Sequence, residues 1–201
     1  MIINTGARTD TVQWYTPWLL KRFEEGYVLV RNPLFPNKVT CYELTPEVVD
    51  VVEFCSKNYA PILSHLRKIT DRFNTHFHYT ITAYGPDIEP RVPSIDKSID
   101  TLYQLEEIVG AKRICWRYDP VLLTRDYTIE RHFATFEHIC TRLAGHVDRC
   151  IFFICGTVQE TAIQYVRTYS AHQRRHGSTG ERVGAHRCRS AYSATNLRHR
   201  R

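Results

Sequence analysis

Arg113-Ile-Cys-Trp-Arg-Tyr-Asp-Pro120 decides how the rest of the chain is read. Its first residues are β-formers of the kind found in a buried strand. The run then meets Arg117, Tyr118, Asp119 and Pro120. Proline cannot donate to a sheet ladder, so the sequence predicts that the strand stops there. A cation, a phenol and a carboxylate then stand together at the carboxyl end of a strand, which is where α/β folds bind ligands.

Outward from this stretch, strands and helices alternate. Ile2-Ile3 reads as a first strand ending in Gly6-Ala-Arg-Thr-Asp10, and Thr16-Pro17 as the start of a helix through Phe23 that Gly26 stops. Tyr27–Val30 is a strand broken by Arg31-Asn32-Pro33, with residues 38–44 as its hairpin partner. Val51–Cys55 is a strand ending in Ser56-Lys57-Asn58. Residues 61–71 carry Ile62, Leu66 and Ile69 at helical spacing, and 77–83 form a strand before Tyr84-Gly85-Pro86. Ile95, Ile99, Leu102, Leu105 and Ile108 form one stripe of a helix over 94–109 that Gly110 ends. A helix over 128–144 and a strand over 149–155 follow.

Short connections between alternating elements imply parallel strands. The count is about five such strands plus one hairpin. A complete barrel has eight, so the expectation over residues 1–155 is a partial TIM-like (β/α) barrel, with an open doubly wound sheet as the competitor. No G-x-G-x-x-G or P-loop occurs, which disfavours nucleotide binding of those kinds.

The net charge of +6 is unevenly placed. Residues 156–201 hold nine Arg, no Lys and two Glu, whereas residues 1–155 balance at −1. The last 46 residues have no Asp, Lys, Pro, Phe, Trp or Met and one Leu, too little apolar surface to offset the entropy of ordering. Three readings stay open for this tail. It is a disordered segment, a basic arm for nucleic acid, or a stretch translated out of frame. On the last reading, Cys155-Gly-Thr-Val-Gln-Glu-Thr161 read one nucleotide later permits Val-Glu-Leu-Tyr-Lys-Lys-Leu. Seven cysteines with no C-x-x-C pair argue against a disulfide framework or a complete metal motif, and fit a reducing cytoplasm. No run is long and apolar enough to span a membrane.

The chemistry concentrates at predicted carboxyl ends of strands. Arg8, Asp10, Lys57, Arg117 and Asp119 are the candidate catalytic residues, and Arg31, Asn32, Asn58, Tyr84 and Tyr118 the candidate binding residues. Arg and Lys can clamp a carboxylate or phosphate of an unidentified substrate, and Asp can act as a base or orient an Arg. Internal ion pairs such as Arg8–Asp10 and Arg117–Asp119 are the structural alternative. His76 and His78 share one face of a strand. No carboxylate or third histidine shares that element, so the expectation is a packed or surface pair and no metal site. Cys55, Cys115, Cys150 and Cys155 are expected to pack as small hydrophobes, and Trp14, Tyr15, Trp18 and Tyr27 to pack between sheet and helix.

Gly6-Ala-Arg-Thr-Asp10, Gly26-Tyr-Val-Leu-Val-Arg-Asn-Pro33, Ser56-Lys-Asn58 and Trp116-Arg-Tyr-Asp-Pro120 occur in that order. Together they resemble the family catalogued as domain of unknown function 1848, over Ile2 to about Ile154. Members are longer and carry a carboxyl-terminal cysteine cluster similar to that of radical S-adenosylmethionine enzymes. The resemblance implies a barrel-like domain with a [4Fe–4S] cluster and S-adenosylmethionine in full-length relatives. In this chain Cys188 stands alone, so neither cofactor is expected here and the chain is expected to be inactive. The family's usual second arginine before Thr9-Asp10 is Ala7 here, and its Trp-Thr-Lys-Asn-Pro run is replaced by residues 54–59.

Overall fold

The computed structural model describes residues 1–154 and the pair 169–170. The expectations for Cys155 and the segment 156–201 otherwise lie outside the described residues. The elements are β1 (Ile2–Asn4), α1 (Thr11–Glu25), β2 (Tyr27–Arg31), β3 (Val39–Glu43), β4 (Val51–Ser56), a 3-10 turn (Leu63–His65), α2 (Arg67–Thr70), β5 (Thr75–Thr80), α3 (Ile95–Val109), a second 3-10 turn (Ala111–Arg113), β6 (Ile114–Val121), α4 (Ile129–Leu143), β7 (Arg149–Ile154) and β8 (Tyr169–Ser170).

The main sheet runs β1-β4-β5-β6-β7-β8, and its first five strands pair in parallel. Strand order follows chain order without reversal, as in a barrel wall. A doubly wound sheet would reverse at a switch point, so the competing architecture is set aside for the described strands. β8 departs from the expected repeat, because it pairs antiparallel to β7. β2 and β3 form a separate antiparallel hairpin.

Alternation along the parallel strands sorts their side chains. Val52 and Phe54 of β4, Phe77 and Tyr79 of β5, Ile114, Trp116 and Tyr118 of β6, and Cys150 of β7 lie in one hydrophobic cluster. The same cluster holds Val12, Leu19 and Phe23 of α1, Ile69 of α2, Ile99, Leu102 and Leu105 of α3, and Ile139 and Leu143 of α4. All four helices therefore cover one face of the sheet. Each fully buried Leu, Ile or Phe in this layer contributes about 1.5–3 kcal/mol through removal from water.

Helix signals hold where local capping is strong. The Ser94 hydroxyl accepts from the N–H of Lys97 at the start of α3, and Thr128 does the same for Arg131 at the start of α4. Gly26 ends α1 in the left-handed region at φ 78°. Other expectations are corrected. α1 begins at Thr11 under an Asp10 cap, and Thr16-Pro17 marks a kink at Tyr15 (φ −131°) within it. Proline lacks the N–H that a continuous helix would use there. Residues 61–71 form only the 3-10 turn and one α-helical turn, although Ile62, Leu66 and Ile69 are buried as the spacing required. β6 runs on through Pro120 to Val121. The β6–β7 register shifts between Tyr118 and Val121, so proline falls where the ladder needs no donor. Trp14, Tyr15, Trp18 and Tyr27 are exposed rather than packed under the sheet, with Arg91 over the Trp14 ring and Arg22 over Trp18 and Tyr27.

Candidate functional site on the inner face of the sheet

The face of the sheet opposite the helices is polar along its middle strands, with Val51 and Ile151 as apolar members on β4 and β7. Parallel register places Asn4 beside Glu53, Glu53 beside His76, Cys55 beside His78, His78 beside Cys115, and Cys115 beside Arg149. Arg117 and Asp119 continue this face along β6. In a barrel this is the interior surface, which bulky apolar side chains ordinarily fill. Here its middle carries carboxylates, imidazoles, thiols and two guanidinium groups.

Arg117 and Asp119 are two residues apart on one strand and form a forked ion pair. The Arg117 Nε donates to Asp119 Oδ1 at 3.0 Å, and Nη2 donates to Oδ2. Arg117 Nη1 reaches across β5 to Cys55 Sγ at 3.3 Å. The guanidinium is thus held in a fixed plane, the arrangement that suits recognition of a planar anion. Burial holds the Cys55 thiol above its ordinary pKa even though Arg117 pulls the other way, so the thiol is a hydrogen-bond partner and not a ready nucleophile.

Glu53, His76 and His78 stand deeper on the same face. His78 Nε2 lies 2.8 Å from Glu53 Oε1, and the Asn4 amide donates to Glu53 Oε2 at 2.7 Å. The His76 and His78 rings meet edge to face at 4.9 Å. Burial is the first cause that lowers both imidazole pKa values, so both are neutral at pH 7. The sequence of β5 alone offers no acid for this pair. The acid comes from the neighbouring strand, and the signal was the matching period-2 pattern of Glu53-x-Cys55 and His76-x-His78.

The other candidate residues divide by placement. Asp10 is a structural hub: it caps α1 through Gln13 N–H at 2.8 Å, accepts the Ser56 hydroxyl at 2.8 Å and accepts the Lys57 N–H at 2.9 Å. Lys57 pairs with Glu89, whose second oxygen accepts from Thr82 at 3.1 Å. Glu89 belongs to this rim and had not been singled out, because it lies in a loop far along the chain. Asn58 braces its own turn by accepting from the N–H of Ala60 at 3.1 Å.

Arg31 and Asn32 stand on the hairpin, outside the parallel sheet. Asn32 accepts the N–H of Leu34 at 2.9 Å as a turn brace, while Arg31 offers its carbonyl to Arg8 Nη1 at 3.0 Å. Tyr84 ties two backbones, donating to Pro120 O and accepting from Leu122 N–H, each at 2.7 Å. Tyr118 faces the helices, 3.0 Å from His132 Nδ1, because it alternates with Arg117 and Asp119. A separate cavity of about 420 Å³ lies between β1, α1 and the hairpin, lined chiefly by apolar groups such as Ile3, Leu19, Phe23 and Val28, with Arg8 among its lining residues.

The ordered motifs can now be set beside known proteins. A family model described as domain of unknown function DUF1848 matches residues 2–193. The chain belongs to that family. The match reaches past Ile154, where the motif-by-motif resemblance stops. Neither a search of curated proteins nor one of solved structures finds a match.

The thiols of the described residues do not fit the [4Fe–4S] cluster that the resemblance to this family implies. Cys41 is exposed on the hairpin, Cys150 belongs to the helix-facing core, and only Cys55 and Cys115 share the inner face. Burial raises the pKa of Cys55, Cys115 and Cys150, which opposes the thiolate form a cluster needs.

Proposed function

We propose that this chain supplies the amino-terminal wall of a radical S-adenosylmethionine-like barrel enzyme, with its substrate face on the inner side of the sheet, and that it holds no cluster by itself. The observation that carries the reading is the segregation of side chains by strand alternation. Packing residues go to the helices, and Glu53, Cys55, His76, His78, Arg117 and Asp119 gather on the opposite face. A purely structural sheet would fill that face with Val, Ile and Leu.

The chemistry available there is recognition and proton handling. Arg117, pinned by Asp119 and Cys55, offers its remaining N–H donors to a carboxylate or phosphate group. The neutral His78, hydrogen-bonded to Glu53, can accept or pass a proton near a bound molecule. Lys57 and Glu89 mark the carboxyl-end entrance.

Two measurements test this. Anaerobic reconstitution of the chain with iron and sulfide, read by absorbance and iron content, is expected to give well under one cluster per chain. Stoichiometric [4Fe–4S] would overturn that part. A thermal-shift panel of small carboxylates and phosphates is expected to contain stabilising members whose effect is lost in Arg117→Gln. A panel without hits, or hits that survive the substitution, would overturn the assignment of the face.

A further inference from the structure

We propose that Glu53, His76 and His78 form a binding site for a divalent first-row transition-metal ion of the Zn²⁺ or Fe²⁺ class, seated on the inner face between β4 and β5. The inference goes beyond the barrel reading and stands without the iron–sulfur cluster.

Geometry is the first ground. One ligand atom from each of the three residues lies within 4.8 Å of the others, and all three residues are partly buried. Metal–ligand bonds of about 2.0–2.2 Å bring such donors to roughly 3–3.5 Å apart, so small side-chain rotations close the site. Adjacent parallel strands hold the backbones fixed, with Glu53 in register with His76.

Supporting groups are the second ground. The Asn4 amide engages Glu53 Oε2 and leaves Oε1 turned to His78, the outer-shell support that orients a ligating carboxylate. His76 Nε2 is a buried nitrogen without a hydrogen-bond partner, and His78 turns its Nε2 to the Glu53 carboxylate. A buried polar atom left unpaired is costly, and a metal ion satisfies the His76 lone pair.

Charge and donor type select the ion. The nearby cations are each offset by an acid, Arg117 by Asp119 and Arg149 by Asp148, so the Glu53 carboxylate remains to attract a cation. Two imidazoles with one carboxylate match zinc or non-haem iron, whereas calcium and magnesium demand oxygen donors. Three protein ligands leave positions open towards the substrate face.

The test is titration of the whole chain, stripped with EDTA, with Zn²⁺ by calorimetry and with Co²⁺ by visible spectroscopy. The expected result is one ion per chain with ligand-field bands and no thiolate-to-cobalt charge transfer. Glu53→Gln and His76→Ala should each weaken binding at least about tenfold, and Asn4→Ala by a smaller factor. His65→Ala, on an exposed turn, should leave it unchanged. Glu53→Gln keeps the shape and the Asn4 contact, so circular dichroism is expected to show it folded. No one-to-one binding, thiolate bands, or unaltered affinity in folded Glu53→Gln would each overturn the site. None of these readouts depends on activity or on a cluster, so failure here leaves the substrate-face reading intact.

Discussion

The carboxylate of Asp10 accepts the backbone N–H of Lys57 at 2.9 Å, tying the first turn of α1 to the carboxyl end of β4. The same group caps α1 and holds Ser56. Asp10→Ala removes a cap worth about 1 kcal/mol and strands two further donors, for a total loss of about 2–4 kcal/mol. Asp10→Asn keeps an acceptor and should lose less than half of that. Urea unfolding of both variants checks this, and an unchanged midpoint in Asp10→Ala would remove the carboxylate from the architecture.

Gly6, in the turn that follows β1, lies against Cys55 of β4. A Cβ at this position would sit 2.6 Å from both the Cβ and the carbonyl oxygen of Cys55. Backbone is the obstacle, and it cannot swing aside as a long side chain can. Gly6→Ala should therefore destabilise by about 1–3 kcal/mol, read as a lowered Tm. A wild-type Tm would mean that the β1 turn relaxes freely.

Alkaline stability should report the buried phenols. Burial lifts Tyr79 to about 12 from an ordinary 10, and it lifts Tyr59 and Tyr118 as well. Below pH 10 the proton is bound in both states and the contribution is intact. Between pH 10 and 12 the unfolded chain loses protons that the folded chain keeps, so stability falls as pH rises. Urea midpoints at pH 9 and pH 11 measure the slope, and Tyr79→Phe should flatten it. An equal slope in that variant would assign the loss elsewhere.

Thiol labelling should separate the sheet faces from the hairpin. Cys41 is exposed on β3, while Cys115 is buried with its pKa raised to about 11 and Cys150 is raised further by burial. Iodoacetamide at pH 8, followed by peptide mass spectrometry, is expected to modify Cys41 and spare Cys115 and Cys150 until urea is added. Labelling of Cys115 in the native chain would show that the inner face opens to solvent more widely than its packing implies.

Sheet strands and long helices were legible wherever one local rule acted alone. The Ile99–Leu102–Leu105 stripe, the Ser94 cap and the alternation of β4 and β5 each depend on near neighbours. The misreadings came where a distant partner decided. Pro120 stays in β6 because β7 changes register beside it. Asp10 rather than Thr16 starts α1 because Ser56 and Lys57 complete its coordination. Tyr118 was grouped with Arg117 and Asp119 by proximity, although alternation turns it to the opposite face. The family membership expected from ordered motifs was shown by the match over residues 2–193. The Glu53–His76–His78 grouping was half visible, since register between strands is not written in either strand alone.

The two faces of β4, β5 and β6 give successive residues unrelated duties. Phe54, Phe77 and Trp116 answer to the helices, while Glu53, His76 and Arg117 lie on the opposite face, free of that packing. Changes at the second set leave the first set's contacts untouched. Such a wall can be retuned for a new ligand at alternate positions while its packing is inherited unaltered.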